Sequence, residues 1–143
     1  MKFYLCGAIR GGRELQTIYQ TIHEYLLMNG HIILDHHISS PDVLEIEDLM
    51  TDKEIYKQDI QWLKECHGVI AEVSIPSLGV GYEISYALNY LNKPVLGLFN
   101  RSKTPISAMI SGNTSKYLTL CSYNDVSELL NHIQEFITYL EKR

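Results

Sequence analysis

The chain has little of what membrane-spanning, disulfide-stabilised or nucleic-acid-binding proteins require. No apolar stretch approaches the roughly 18 residues that are needed to cross a bilayer. Only three of the 143 residues are cysteines. Because they are far apart and form no CxxC pair, we expect reduced thiols in a cytoplasmic protein. Seventeen acidic residues outnumber 12 basic ones, for a net charge of −5, which argues against the clustered cations that attract nucleic acid. We therefore expect neither a membrane nor a nucleic-acid partner.

Sequence motifs for nucleotide cofactors and metals are absent as well. The glycines near the start are not followed by Gly-Lys-Ser/Thr, which excludes a P-loop, and their spacing does not match the dinucleotide-binding fingerprint. The histidines show no HxxxH or Cys/His ligand spacing, and the adjacent His36 and His37 would point in opposite directions in an extended segment. We expect no metal and no organic cofactor, and keep His36 as a candidate substrate contact.

What the chain does have is an alternation of short apolar runs with segments of helical period. The runs predict strands at 2–9, 31–34, 68–73, 94–99 and 117–121, and the segments between them predict helices near 12–29, 48–66, 79–92 and 124–141. We expect a single domain over 1–143 with a doubly wound α/β fold, flavodoxin-like or Rossmann-like. Its five-stranded, mainly parallel sheet would have helices on both faces. The polar, acidic segment 35–47 is predicted to be a long loop on the ligand side.

Ligands of such folds bind outside the carboxyl ends of the strands. The stretch that follows the first predicted strand, GAIRGGRE, has glycines at 7, 11 and 12 that permit a tight turn with backbone N–H groups facing a ligand. Arg10 within it suits a carboxylate or a phosphate. A plain strand-to-helix turn explains the glycines equally well.

The stretch that follows the third predicted strand, SLGVGYE, combines two glycines with a carboxylate. Gly79 and Gly81 let a substrate approach the backbone, and Glu83 is expected in about the first helical turn, where the helix dipole keeps a nucleophilic carboxylate ionised. An acid that only stabilises the helix end is the alternative. Asp59 and Tyr4 could reach the same crevice, and two carboxylates with a tyrosine suggest glycosidic chemistry. Taken separately, Asp59 reads as a solvated helix residue and Tyr4 as a core aromatic.

Four stretches in this order, YLCGAIRGGRE, KQDIQWL, AEVSIPSLGVGYE and SAMISGN, together resemble the 2'-deoxynucleoside 5'-monophosphate N-glycosidases, within the wider nucleoside 2-deoxyribosyltransferase superfamily. The similarity covers roughly residues 3–125. It implies that Glu83 is the nucleophile, that Asp59 serves the sugar and base of a small deoxynucleotide substrate, and that Tyr4 hydrogen-bonds the nucleophile. The chain departs from the family pattern at Ala8, where serine is frequent.

The same resemblance implies a set of substrate contacts and an oligomeric state. From the glycine-rich loop it places four residues near the substrate, namely Gly7, Ile9, Arg10 and Gly12. It places Ser77 and Gly79 at the phosphate end, together with Ser107 and Met109 from a neighbouring subunit. A site completed across subunits implies a homodimer.

Position 77 helps to choose between a hydrolase of nucleotides and a transferase of free nucleosides. The transferases resemble this pattern but carry an aspartate six residues before the nucleophile, and this chain has Ser77 there. A carboxylate beside a 5'-phosphate would cost about 1 kcal/mol of repulsion even in water, whereas a serine hydroxyl can donate to phosphate. We therefore expect hydrolysis of 2'-deoxynucleoside 5'-monophosphates. Base exchange, hydrolysis of ribonucleotides such as CMP, and nucleotide sensing without chemistry remain as alternatives.

Overall fold

The computed structural model describes residues 1–9, 14–34 and 38–143, with the backbone alone at 46–48. Each of the five apolar runs forms a strand of one sheet, and all the neighbouring strands are parallel. The strands are β1 (Lys2–Cys6), β2 (Ile32–Ile33), β3 (Gly68–Glu72), β4 (Val95–Asn100) and β5 (Leu118–Tyr123). Their order is β2-β1-β3-β4-β5, which is the flavodoxin-like order. The prediction of a parallel α/β sheet is confirmed.

Helices lie between consecutive strands and after the last one, and several of them begin at side-chain caps. They are α1 (Gln16–Met28), α2 (Val43–Asp48), α3 (Asp52–Glu65), α4 (Leu78–Ser85), α5 (Ala108–Ser111) and α6 (Val126–Glu141). A reciprocal capping box between Thr51 and Glu54 starts α3, and the side chain of Asp125 caps α6. The last part of the third predicted helix is a π-helical turn at Tyr86–Tyr90, which continues α4.

The structure differs from the predicted elements between β2 and α3. The sequence predicts a long loop over 35–47, but α2 occupies Val43–Asp48. Val43 is fully buried, so its apolar side chain anchors this short helix in the core although the surrounding sequence is polar and acidic. The first strand is also shorter than predicted, because residues 7–9 leave the sheet and enter the connection to α1.

The core lies on both faces of the sheet, which explains why the central strands are mainly apolar. Along β1, Phe3 and Leu5 belong to a cluster with α1 and α6, whereas Tyr4 and Cys6 belong to a cluster with α3 and α4. This alternation follows from the two-residue period of a strand. All five residues of β3 are buried, as expected for a central strand covered on both sides.

The strand order determines where a ligand site can form. From β1 the chain passes outward to β2, and it then returns to β3 on the other side of β1. Connections that leave two adjacent strands in opposite directions open a crevice at their carboxyl ends. In this chain that crevice lies between the end of β1 and the end of β3. Within the described residues, no helix has both the length and the apolarity needed to traverse a lipid bilayer.

Candidate active site

A cavity of about 740 Å³ lies at the carboxyl ends of β1 and β3, between α3 and α4. This volume is within the range of sites for small molecules and nucleotides. The cavity is bounded by residues 7 and 9 after β1, by one face of α3, and by residues 76–80, 82 and 83 around the start of α4. It occupies the position that the order of the strands indicates for a ligand.

Asp59 and Glu83 lie on opposite walls of this cavity. Asp59 is on α3, Glu83 is on α4, and both side chains are half-buried. One carboxyl oxygen of Glu83, Oε2, is inaccessible to solvent. The structure thus brings together the two carboxylates that the sequence singled out, which lie 24 positions apart in the numbering.

The expectation that Glu83 lies in the first turn of its helix is wrong. The helix begins at Leu78, and the side chain of Ser77 caps it by accepting a hydrogen bond from the backbone N–H of Val80 at 3.4 Å. Glu83 is therefore the sixth helical residue. Because the influence of the helix dipole falls off within the first turn, the dipole does not account for the ionisation of Glu83.

Tyr4 is fully buried on the side of the sheet that faces α3 and α4. It shares an apolar cluster with Val80 and Ile84, which lie on the same helix as Glu83. Its hydroxyl group is inaccessible to solvent. Tyr4 is not part of the cavity lining, so the structure places it beneath the wall that carries Glu83.

Four of the predicted substrate contacts line the cavity, namely Gly7, Ile9, Ser77 and Gly79. A β-carbon at Gly7 would lie 2.7 Å from Cε1 of Tyr19, so packing alone requires glycine there. Gly79 is different, because the closest atom that a β-carbon would meet is Oγ of Ser77 at 3.9 Å. The predicted contacts Arg10, Gly12 and His36 lie outside the described residues.

Ser107 and Met109 do not line this cavity. They line a neighbouring groove of about 410 Å³ that runs between α4 and α5. The groove and the cavity share a common wall, which is formed by Pro76, Ser77, Leu78 and Val80. The sequence placed Ser107 and Met109 at the phosphate end across a subunit boundary, and within one chain they lie on the far side of that shared wall.

Sequence analysis missed several residues that contribute to the cavity. One face of α3 contributes Asp52, Ile55, Tyr56, Ile60 and Leu63 besides Asp59. These positions follow the three- and four-residue spacing of a helix face, so the placement of Asp59 could have predicted them. Tyr82 on α4 also lines the cavity, and its hydroxyl lies 3.3 Å from that of Tyr56. This contact connects the two helices that carry the carboxylates.

Glu72, the last residue of β3, was also missed. Its side chain is fully buried and accepts hydrogen bonds from the backbone N–H of Ser74 at 3.1 Å and from the hydroxyl of Tyr123 at 3.0 Å. The hydroxyl of Ser74 also donates to it. Burial raises the pKa of the Glu72 carboxyl group, and these hydrogen bonds and Lys103 oppose the rise. The sequence does contain a signal for this residue, which is a glutamate in an otherwise apolar strand.

The part of the chain that the structure describes contains no set of side chains arranged as metal ligands. Among residues 1–9, 14–34 and 38–143, excluding the side chains of 46–48, no group of three or more His, Cys, Asp or Glu side chains is arranged to hold a metal ion. The polar groups that face the cavity are instead carboxylates, hydroxyls and backbone groups. Carboxylates on two sides of a sugar can supply a nucleophile and an acid.

These features define a class: an α/β protein with a ligand cavity at its switch point and the pair of carboxylates that glycosidic-bond chemistry uses. Residues 3–129 match the family model of the nucleoside 2-deoxyribosyltransferases, and the chain belongs to that family. This confirms the family that the sequence motifs indicated.

Relatives and solved structures agree with this assignment. The chain is 40% identical over 144 residues to the 5-hydroxymethyl-dUMP N-hydrolase of Danio rerio, and the match spans 99% of both proteins. It is 43% identical over 111 residues to the 5-hydroxymethyl-dUMP N-hydrolase of Rattus norvegicus, which covers 76% of this chain and 68% of that protein. A CMP N-glycosidase of Clostridium botulinum has the same fold, with a TM-score of 0.70 at 20% identity over 95% of this chain and 99% of that one. The chain is an enzyme of the N-glycosidase type.

Proposed function

We propose that the chain hydrolyses the N-glycosidic bond of 2'-deoxynucleoside 5'-monophosphates and releases the free base and 2-deoxyribose 5-phosphate. The observation that carries this proposal is that Asp59 and Glu83 line the same cavity. Ser77 and the start of α4 form one end of that cavity. The relatives named as hydrolases of a deoxynucleotide support the substrate class.

The phosphate would lie at the start of α4. Backbone N–H groups of the first helical turn point outward there, and the positive end of the helix dipole favours an anion. Ser77 adds a hydroxyl, and Gly79 keeps the approach open, since outside its chain neighbours and its own helix backbone the nearest described atom to the place of a β-carbon is Oγ of Ser77 at 3.9 Å. Gly7 and Ile9 contact the sugar or base from the end of β1. We extend the same assignment to Arg10, Gly12 and His36 from the sequence alone.

Glu83 acts as the nucleophile in this mechanism. Its carboxylate attacks C1' of the deoxyribose, while the bond between C1' and the base nitrogen breaks and its electron pair leaves with the base. Asp59, on the opposite wall, donates a proton to the departing base and is left as a carboxylate. A water molecule then attacks C1' of the glutamyl ester, loses a proton to Asp59 and frees Glu83 as a carboxylate. Each step uses groups of this chain and water.

Tyr4 orients this nucleophile from the core side of the cavity wall. Its buried position in the cluster that contains the neighbours of Glu83 suits a hydroxyl that donates to the carboxylate. Such a donor orients one carboxylate oxygen and leaves the other for attack. We therefore assign Tyr4 to positioning the nucleophile, and not to contact with the substrate.

The homodimer forms part of the proposal because two of the predicted contacts cannot reach the cavity of their own chain. Ser107 and Met109 lie beyond the wall formed by residues 76–80, and Met109 is 82% exposed. Leu78, on the same wall, is 97% exposed. Large apolar side chains that stand out beside a groove fit an interface with a second copy. Two-fold symmetry would bring Ser107 and Met109 of each subunit to the Ser77 end of the other.

The experiment that tests the function is a panel of nucleoside 5'-monophosphates, deoxy and ribo, with canonical bases and 5-hydroxymethyluracil, assayed for released base. Release from the deoxynucleotides and much slower release from the matched nucleosides is the expected result, because the phosphate contributes remote binding energy to the transition state. Faster release from CMP than from dCMP would contradict the deoxy preference. Formation of a new nucleotide when a second free base is added would indicate base exchange. Binding without release, unchanged in Glu83→Gln, would leave a nucleotide sensor.

A further inference from the structure

A buried hydrogen-bond network lies directly behind the wall that carries Ser77. It is built on Glu72, Ser74, Asn100 and Tyr123, and Glu72 and Ser74 are both buried polar residues. The hydroxyl of Ser74 donates to Glu72 and accepts a hydrogen bond from the backbone N–H of Asn100 at 2.7 Å. The hydroxyl of Tyr123 donates to the same carboxyl oxygen of Glu72 at 3.0 Å.

The network connects the carboxyl ends of three adjacent strands. Glu72 ends β3, Asn100 ends β4 and Tyr123 ends β5. Asn100 and Tyr123 are also paired in the register of the sheet. One further backbone hydrogen bond, from the N–H of Val73 to the carbonyl of Leu98 at 2.8 Å, follows the end of β3. At Ser74, the next residue, the side chain of Glu72 holds the connection.

The connection that this network holds is the one that reaches the cavity. Residues 73–77 lead from β3 to the cap of α4, and Pro76 and Ser77 within them form part of the wall shared by the cavity and the groove. Glu72 holds the backbone N–H and the hydroxyl of Ser74 at once. The position of Ser77, only three residues farther on, therefore depends on where Glu72 holds Ser74.

Holding a loop with a fully buried carboxyl group costs desolvation free energy. An apolar side chain at the end of β3 would avoid the desolvation of a carboxylate. Departures of this kind from the local pattern of a strand are expected where function requires them. Glu72 lies behind the wall that carries Ser77, and its location indicates that the carboxyl group holds this wall in place.

We propose that Glu72 is a positioning residue for the phosphate end of the active site: through Ser74 it sets the place of Ser77 and of the first turn of α4. This inference rests on the proposed function, since it takes the Ser77 end to bind the 5'-phosphate. Glu72 itself does not contact the substrate and takes no part in bond breaking.

The test measures how strongly each variant prefers a phosphorylated substrate. The kcat/KM of the deoxynucleotide that wild type hydrolyses fastest is divided by the kcat/KM of the same nucleoside without phosphate. Both values come from one preparation, so the fraction of correctly folded enzyme cancels. Binding of 2-deoxyribose 5-phosphate, measured by calorimetry, gives a second readout that does not depend on catalysis.

Ser74→Ala removes the link to both Glu72 and Asn100, and Glu72→Gln places an NH2 group against a donor. We expect each variant to lower the preference for the phosphorylated substrate by at least about tenfold, because a displaced donor to a charged group has an effect of that size. The affinity for 2-deoxyribose 5-phosphate should fall in parallel. Tyr123→Phe removes one donor only, and a smaller fall in the same direction is expected.

Tyr25→Phe is the matched control. The hydroxyl of Tyr25 donates to Gln134 at 2.8 Å, on the face of the sheet away from the cavity, so its loss should leave the preference at the wild-type value. An unchanged preference in Ser74→Ala and Tyr123→Phe, or an equal fall in Tyr25→Phe, would overturn the role of Glu72. Tyr123→Phe decides the question if Glu72→Gln does not fold. An inactive wild type would instead refute the proposed function, and this inference with it.

Discussion

Asp59 and Glu83 lie on different helices and face one cavity from its two walls. Neither helix carries both groups. Because α3 precedes β3 and α4 follows it, the pair forms only when these two helices pack on the same face of the sheet. Tyr56 and Tyr82, whose hydroxyls are 3.3 Å apart, connect the same two helices at the edge of the cavity. The relative position of nucleophile and acid is thus a property of the α3–α4 pair.

Glu83→Gln should abolish catalysis and leave the fold intact. The amide cannot form the ester with C1', and removal of a nucleophile typically lowers kcat by about 10⁴-fold or more. Base release followed by chromatography measures the effect, and mass spectrometry of quenched wild-type enzyme should detect a deoxyribose phosphate adduct on Glu83. Glu135→Gln, a change at an exposed carboxylate of α6, should behave as wild type. Comparable turnover by Glu83→Gln would refute the nucleophile assignment.

Gly79 and Gly81 lie two positions apart on α4 and provide a matched pair of sites for substitution. Gly79 lines the cavity, whereas Gly81 lines the groove. Outside its chain neighbours and its own helix backbone, no described atom lies within 4 Å of a β-carbon at position 81. Alanine at either position should raise the free energy of unfolding by about 0.5–1 kcal/mol, because alanine favours a helix. Gly79→Ala should nevertheless raise KM for the deoxynucleotide, because the methyl group occupies the approach of the phosphate. Unfolding curves and steady-state kinetics of both variants are the measurements. Equal KM values in the two would contradict a phosphate subsite at Gly79.

Tyr4→Phe should lower kcat without a comparable loss of stability. It removes only the buried hydroxyl that we assign to orienting Glu83, and a lost orienting donor lowers kcat by about 10²-fold. Urea unfolding should show a change like that of Tyr25→Phe, which also loses a hydroxyl but lies away from the site. If kcat is retained in Tyr4→Phe, Tyr4 is only a core residue.

Mixing two inactive variants tests the subunit arrangement. Glu83→Gln lacks the nucleophile, and the double change Ser107→Ala, Met109→Ala lacks the groove residues that we assign to the neighbouring site. A mixed dimer has one site with Glu83 intact and with Ser107 supplied by the other subunit, so activity should reappear on mixing. No recovery after verified subunit exchange would show that Ser107 and Met109 act within their own chain or not at all.

The buried carboxyl group of Glu72 predicts a pH dependence of stability. Burial raises its pKa above the ordinary value of 4.5, against the effects of Ser74, Tyr123 and Lys103. The folded state therefore binds the proton more tightly than the unfolded state. The stabilising contribution is complete below about pH 4.5 and is lost as the pH rises through the folded-state pKa. Urea unfolding of wild type and Glu72→Gln should show that the difference between their free energies of unfolding changes across this interval, with wild type losing stability relative to the variant as the pH rises. Parallel curves would contradict the raised pKa.

Much of the fold could be predicted from the chain because its signals are local. Five apolar runs correspond to five strands, and apolar positions at helical spacing correspond to α6, which buries Leu129, Ile133 and Ile137. The helix α2 was missed, because the burial of Val43 in the core anchors it. That anchor is a tertiary contact, which periodicity in a mainly polar and acidic segment does not reveal.

The sequence by itself determined the alternation of strands and helices, the family, and the residues that stand at the ends of β1 and β3. These depend on short-range periodicity and on motifs that are contiguous in the chain. Only the tertiary structure decided that Ser107 and Met109 face a separate groove and that Glu72 joins the ends of three strands. Contacts between residues far apart in the chain decide both points, because the packing of helices and strand ends depends on side chains from several elements at once.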